Sequence, residues 1–243
     1  MQLKLQRVGL KAPVGIGQAI DDLSFEVASG EHITIIGPSG SGKTALLRLL
    51  NRLVEPSSGK IQFEGRDFQD WPVIELRQQV AFICQTPRLL GMDVQTALQY
   101  PLQLQKVPPL EQPQRVHTLC EKLEIPKSWL DRTARDLSPG QQQITAIARS
   151  LILRPKVLLL DGPLATLDSG QLLRLLTALK QFIPAITVIL TSHDPDGMAD
   201  FSDRYLVLHQ GKLQQDTVAA ECDREALKRW LKQTAMSESE AWQ

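Results

Sequence analysis

The chain has 243 residues, 42% of them hydrophobic, and its 27 Lys and Arg match its 27 Asp and Glu in number. That length and apolar content suit an α/β domain with a sizeable core and room for a subdomain. The balanced charge supplies no field to draw in DNA, RNA or an anionic membrane, so no nucleic acid partner is expected. Cys84, Cys120 and Cys222 are scattered and odd in number, which reads as reduced, structural and cytoplasmic.

The opening "MQLKLQRVGL" alternates like a strand and lacks the apolar core of a signal peptide. Strands are expected at Leu3–Val8, Leu23–Val27 and His32–Ile36. A Gly-rich turn and a helix from Lys43 to about Leu53 follow. "EPSSGKIQFEGRD" has turn residues on both sides of a strand at Lys60–Phe63, and Val80–Cys84 reads as a buried strand. From Gln85 to about Asp136, prolines at 87, 101, 108, 109, 113 and 126 punctuate short amphipathic pieces. This is the candidate inserted helical subdomain. Alternation then resumes with a helix at Pro139–Leu153, a strand at Lys156–Leu160, a helix at Ser169–Phe182 and a strand at Ile186–Thr191. "YLVLHQGKLQQ" reads as a closing hairpin turning at Gln210–Gly211, Asp223–Thr234 as a terminal helix, and "SESEAWQ" as a frayed tail. Alternating strands and helices predict a mixed, mostly parallel sheet with helices on its faces. No window holds the roughly eighteen apolar residues that span a bilayer; the best, Ile144–Leu160, is broken by Arg149, Arg154 and Lys156. Any membrane role is therefore expected to come through a partner.

"IIGPSGSGKT" places Gly37, Pro38, Ser39, Gly40, Ser41, Gly42, Lys43 and Thr44 in the pattern G-x-x-x-x-G-K-[ST], after a strand and at the start of a helix. Glycines let successive N–H groups turn inward around phosphates, and the helix N-terminus adds positive potential. Lys43 would reach the terminal phosphates and Thr44 a magnesium ion. The apolar run ending at Asp161 delivers a carboxylate suited to the same ion. In "LSPGQQQ", Ser138 suits an N-cap, Pro139 the first helical position and Gln141 the reciprocal partner of a capping box.

Taken in order, the Gly37–Thr44 loop, Gln85 at a strand end, "LSPGQ", "VLLLD", "LATLD" and "TSHDP" resemble the ATP-binding subunit of ABC transporters over nearly the whole chain. The resemblance implies a Walker A loop at Gly37–Thr44, a Q-loop at Gln85, and a signature at Leu137, Ser138, Pro139, Gly140 and Gln141. It also implies a Walker B strand at Val157–Asp161, a D-loop at Leu164–Asp168 that includes Leu167 and Asp168, and a switch histidine at His193. By the same resemblance Thr44, Gln85 and Asp161 hold Mg2+, Gln85 and His193 serve catalysis, and ATP is the nucleotide. Two copies would close head to tail, each signature helix covering the other's γ-phosphate. The implied organisation is a P-loop NTPase core with an N-terminal antiparallel β part over 1–84 and 137–222, a helical subdomain over 85–136, and a terminal helix and tail over 223–243. Its other partner would be a multispanning membrane permease, reached from the cytoplasmic face.

Three positions depart from the family pattern. Gly162 stands where a glutamate usually polarises the attacking water, a contribution of about 10²–10⁴ in rate. Pro139 replaces a glycine and removes a backbone donor. Leu10 stands where an aromatic residue stacks on adenine. All three lower the expected ATPase output and leave the phosphate cradle intact. "LRQQVAFICQTPRLLG" and "ALQYPLQL" are further similar to short stand-alone subunits linked to iron export or UDP-glucose transport. An ATP-gated module without turnover and a soluble ABC ATPase in DNA repair or translation are the competing readings. The repair type carries a long coiled-coil insertion and the translation type two cassettes, and neither is found in these 243 residues.

Overall fold

The computed structural model describes residues 1–12, 17–86, 88–162, 166–182 and 186–240. Two sheets organise them. The first is antiparallel, in the order β2-β1-β4-β5, from β1 (Leu3–Lys11), β2 (Gln18–Val27), β4 (Ser58–Phe63) and β5 (Arg66–Asp67). The second has the order β10-β9-β3-β8-β7-β6. It comprises β3 (His32–Ile36), β6 (Val80–Ile83), β7 (Val157–Leu160), β8 (Thr187–Ser192), β9 (Arg204–His209) and β10 (Lys212–Val218). All neighbours in it pair in parallel except β10, which runs antiparallel beside β9. The expected α/β class with a mostly parallel sheet and an antiparallel N-terminal part is the one observed.

The central strands are continuous apolar runs because both of their faces are covered. β7 shows the division: Leu158 and Leu160 enter one core, Val157 and Leu159 the other. The first core also contains Leu98 and Leu102 of α3 (Val94–Leu104), Val116 of α4 (Gln112–Lys122), Ile147 of α5 (Pro139–Leu151) and Leu176 of α6 (Ser169–Lys180). The second joins the sheet to Leu46 and Leu47 of α1 (Lys43–Leu50) and to Leu3, Leu5 and Phe63 of the antiparallel sheet.

Several boundaries differ from expectation. α1 ends at Leu50, α5 at Leu151 and α6 at Lys180, each earlier than its apolar pattern suggests. The short helix α2 (Val73–Gln79) has only Leu76 buried, too weak a periodicity to read. Pro101 lies within α3 rather than ending it. An interior proline costs about 3 kcal/mol, but burial of Val94, Ala97, Leu98 and Leu102 holds the helix together for one further turn. The last helix, α7 (Arg224–Glu240), runs into the segment read as a frayed tail. It is begun by Asp223, whose carboxylate accepts from Ala226 N at 2.9 Å, and anchored by buried Leu227. Trp242 lies outside the described residues. Among the described residues, 85–136 contain helices and no strand.

His32 begins β3 buried, with its ring stacked on Phe201 at 4.6 Å between centroids. Burial pushes its pKa below the ordinary value; the Asp203 carboxylate and the Ile186 carbonyl oppose this, and the Lys180 ammonium adds to it. A histidine kept neutral by the fold contributes stability above its unfolded pKa of about 6.5, and that stability is lost as pH falls toward the depressed folded value. Denaturant titrations at pH 7.5 and 5.5 are expected to show a smaller loss on acidification for His32→Leu than for wild type. An equal loss in both would place the acid sensitivity elsewhere.

Candidate functional site

The parallel register brings strand ends into line: Ile36 pairs with Ser192, Leu160 with Leu190, and Ile83 with Leu160. The residues that follow these strands, Gly37, His193, Asp161 and Gln85, therefore emerge along one carboxyl edge of the sheet. In open α/β sheets this is where ligands bind.

The loop Gly37–Thr44 makes its turn at close quarters. A Cβ on Gly37 would stand 2.2 Å from the Leu208 carbonyl oxygen and 2.6 Å from Ser41 Oγ. Gly42, at φ +105°, lies against Ala19 O in the same way. Neither position has room for a side chain. Pro38 and Ser41 are buried, whereas Ser39 and Gly40 are exposed at the mouth. The hairpin between β9 and β10 braces the loop, since Gly211 N donates to Ser41 O at 3.0 Å.

Lys43 is 9% exposed, and its ammonium donates to Gly37 O at 2.8 Å and Pro38 O at 2.7 Å. Thr44 donates its hydroxyl to Asp161 Oδ1 at 3.0 Å. Thr191, which the sequence reading had passed over, donates to the same oxygen at 3.2 Å and accepts from Gly162 N at 2.7 Å. Its only signal was a polar residue closing an apolar strand. The Thr44 hydroxyl and Asp161 carboxylate are hard oxygen donors suited to a small divalent cation. Among the described residues no group of three or more His, Cys, Asp or Glu could hold a metal.

Gly162 has φ +55°, and the atoms nearest to a Cβ there would be those of the Gln85 side chain, at 3.5–3.6 Å. Gln85 is thus placed beside the residue that follows Asp161. His193 follows β8, partly exposed, with Lys43 and Gly37 of the loop beside it. Burial first and the Lys43 ammonium second lower its pKa, while the Gly37 carbonyl acts in the opposite sense. Leu10 is half-buried against the second core and pairs with Ile20, whose Cδ1 lies 3.1 Å from a Gly42 Cβ position. It stands one strand away from the loop.

Leu137, Ser138, Pro139, Gly140 and Gln141 form a separate turn at the head of α5. The reciprocal capping box is present: Ser138 Oγ accepts from Gln141 N at 3.2 Å, and Gln141 Oε1 accepts from Ser138 N at 2.9 Å. Leu137 and Gly140 are buried, Ser138 and Pro139 exposed. A Cβ on Gly140 would stand 2.5 Å from Gln171 Oε1 and 2.9 Å from Thr166 O, so this turn packs on the start of α6. Asp168 caps that helix by accepting from Gln171 N at 2.8 Å, and Leu167 beside it is buried. Leu164 lies outside the described residues.

The family model of ABC transporters matches residues 20–165. The chain belongs to the ABC transporter family of ATP-binding domains. Within the family it is 32% identical, over 88% of its length, to a glycine betaine/carnitine/choline transport ATP-binding protein of Bacillus subtilis. It is 33% identical, over 81% of its length, to an energy-coupling factor transporter ATP-binding protein of Symbiobacterium thermophilum, covering 70% of that protein. The chain spans 57% and 56% of the length of two Bacillus subtilis relatives that act in choline-type transport. Among solved structures, cbiO1 of Clostridium perfringens, part of the ABC transporter complex cbiONQ, superimposes with a TM-score of 0.83 at 26% identity, covering 98% of both chains. The dimeric bacterial ABC transporter cassette MJ0796 gives 0.78 at 27% identity, covering 89% of this chain and 98% of its own. Among the described residues no helix is long and apolar enough to cross a membrane.

The capping box gives Ser138 a local role at the head of this helix. Ser138→Ala removes the N-cap acceptor and should destabilise the fold by about 1 kcal/mol, read as a lower denaturation midpoint with an unchanged slope. No change would mean that water serves the Gln141 N–H equally well.

Proposed function

We propose that this chain is the ATP-binding subunit of an ABC transporter, coupling ATP binding and closure of a head-to-tail dimer to transport by a separate membrane permease. The observation that carries the reading is the convergence of Lys43, Thr44, Asp161, Gln85 and His193 on one sheet edge, around a loop that only glycine permits. ATP phosphates would lie on the N–H groups of Gly37–Thr44, and the Lys43 ammonium would exchange its carbonyl partners for phosphate oxygens. Thr44, Asp161 and Gln85 would hold Mg2+, which neutralises phosphate charge when bound. Leu10 would give the base a dispersion contact without stacking. Leu137–Gln141, with Leu167 and Asp168, would face the nucleotide of a second copy. Residues 1–84 and 137–222 are then the core, 85–136 the helical subdomain and 223–243 the terminal segment.

The permease would be gripped by the helical segment, where a cavity of about 460 Å³ opens between α3 and α4, lined by Gln99, Val116, His117, Cys120, Ile125 and Leu130. An ATP-binding subunit does not touch the cargo, which is set by the permease; a likeness to short stand-alone subunits for iron export or UDP-glucose is one such assignment. With balanced charge and no spanning helix among the described residues, the subunit would sit on the inner face of the membrane through that partner.

Titration calorimetry with ATP and magnesium tests the cradle. Lys43→Ala should weaken binding by about tenfold to a hundredfold, since a charge-assisted contact to the phosphates is lost. Unchanged affinity would reject the cradle. Co-purification with a membrane subunit separates the transporter from a free ATPase.

Gly162 favours a second reading, an ATP-gated module without turnover. Gln85 can orient a water but takes up no proton, and the neutral His193 ring is the remaining base, so hydrolysis would be slow. A Cβ at Gly162 would be in ordinary contact with the Gln85 side chain, and the obstacle to a glutamate is the positive φ, which costs an ordinary residue about 1–2 kcal/mol. Gly162→Glu is expected to raise phosphate release by about 10²-fold and to lower stability by that strain. Turnover that does not rise would assign the chain to the gated module.

A further inference from the structure

Three residues beyond His193, its loop meets the last helix. Asp196 Oδ2 accepts from Lys228 Nζ at 2.7 Å, and its Oδ1 lies 3.9 Å from Arg224 Nε. The two cations are one turn apart on α7 and share a face. Lys228 also pairs with Glu225. The hydrogen bond from Lys228 holds the Asp196 carboxyl below the ordinary carboxylate range.

Little slack separates Asp196 from His193. Asp194 N donates to Ser192 Oγ and Asp196 N donates to Asp194 Oδ1, both at 3.0 Å. Between them the Pro195 carbonyl accepts from the Tyr205 hydroxyl at 3.0 Å, and Tyr205 is a buried residue of β9. Ser192 to Asp196 is thus a hydrogen-bonded unit with two outside fixings, one in the core and one on α7.

α7 has its own footing. Leu227 is buried, and Trp230 meets the His209 ring edge-on at 5.6 Å. His209 follows Leu208, whose carbonyl abuts Gly37. The helix therefore bears on both the hairpin that braces the phosphate loop and the loop that carries His193.

We propose that Asp196, held by Lys228 and Arg224, is a positioning residue that sets His193 against the phosphate loop, with α7 as the strap that governs it. The inference rests on the reading of Gly37–Thr44 as the ATP site. Exposed ion pairs hold weakly and loosen in salt, so the strap can let go without unfolding the core. A partner or a second copy that engages α7 would act on His193 from a distance.

The test follows the imidazole. The chain has four histidines, and His193→Gln assigns the resonance in NMR titrations. In wild type the ring faces the Lys43 ammonium and the Gly37 carbonyl, Asp194 being turned into its own loop, and it should titrate below the ordinary histidine value. In Asp196→Asn and Lys228→Met the midpoint should rise toward that value as the ring leaves Lys43, while Lys228→Arg keeps the wild-type midpoint. His32, buried at the far end of β3, should not move in any of them. ATP affinity should be unchanged, and phosphate release should fall about tenfold in Asp196→Asn but no further when His193 is already replaced by alanine. A His193 midpoint equal to wild type in both Asp196→Asn and Lys228→Met would overturn the proposal. Failure of wild type to bind ATP would instead strike the nucleotide reading, and the His193 midpoint would still judge the strap.

Discussion

One oxygen of Asp161 joins the parts of the site. It accepts hydroxyl protons from Thr44, in the first turn of α1, and from Thr191, near the end of β8. Thr191 in turn takes the N–H of Gly162. A carboxylate in a buried place is costly unless hydrogen-bonded, and bonds to a charged acceptor are the strong ones. Satisfying Asp161 therefore fixes the Gly37–Thr44 loop, the end of β7 and the end of β8 relative to one another.

The sheet that carries this junction is rigid because it divides two cores. Strands β3, β7 and β8 send alternate side chains into each, so a shift in register would misplace apolar groups on both faces at once. The loops at the carboxyl edge are built differently. Gly37 and Gly42 let the backbone approach neighbouring carbonyls, and the His193 loop is held by hydroxyls, a carboxylate and exposed ion pairs. Rigid apolar strands position polar loops that can rearrange at lower cost.

Much of this organisation was legible in local spacing. The loop at 37–44 was readable because its pattern encodes backbone geometry directly, and the Ser138–Gln141 box because both partners lie within one helical turn. Strand ends at Gln85, Asp161 and His193 were readable because apolar runs stop there. α2 was missed because its single buried leucine carries no period. The length of α7 was underestimated because its outer face is polar and its anchoring at Leu227 and Trp230 comes from other elements.

By itself the sequence determined where the strands lie, though β1 runs on to Lys11 and β2 begins at Gln18, which turns need glycine and which helix starts are capped, since each depends on neighbours three or four positions away. Only the tertiary structure decided that Thr44 and Asp161, 117 residues apart, share a hydrogen bond. It alone placed Thr191 on the same carboxylate, Gly140 against Gln171, and Asp196 against Lys228, 32 residues further along the chain. Such pairings depend on strand order, and strand order is set by how two apolar faces are buried together, which no local window of the chain contains.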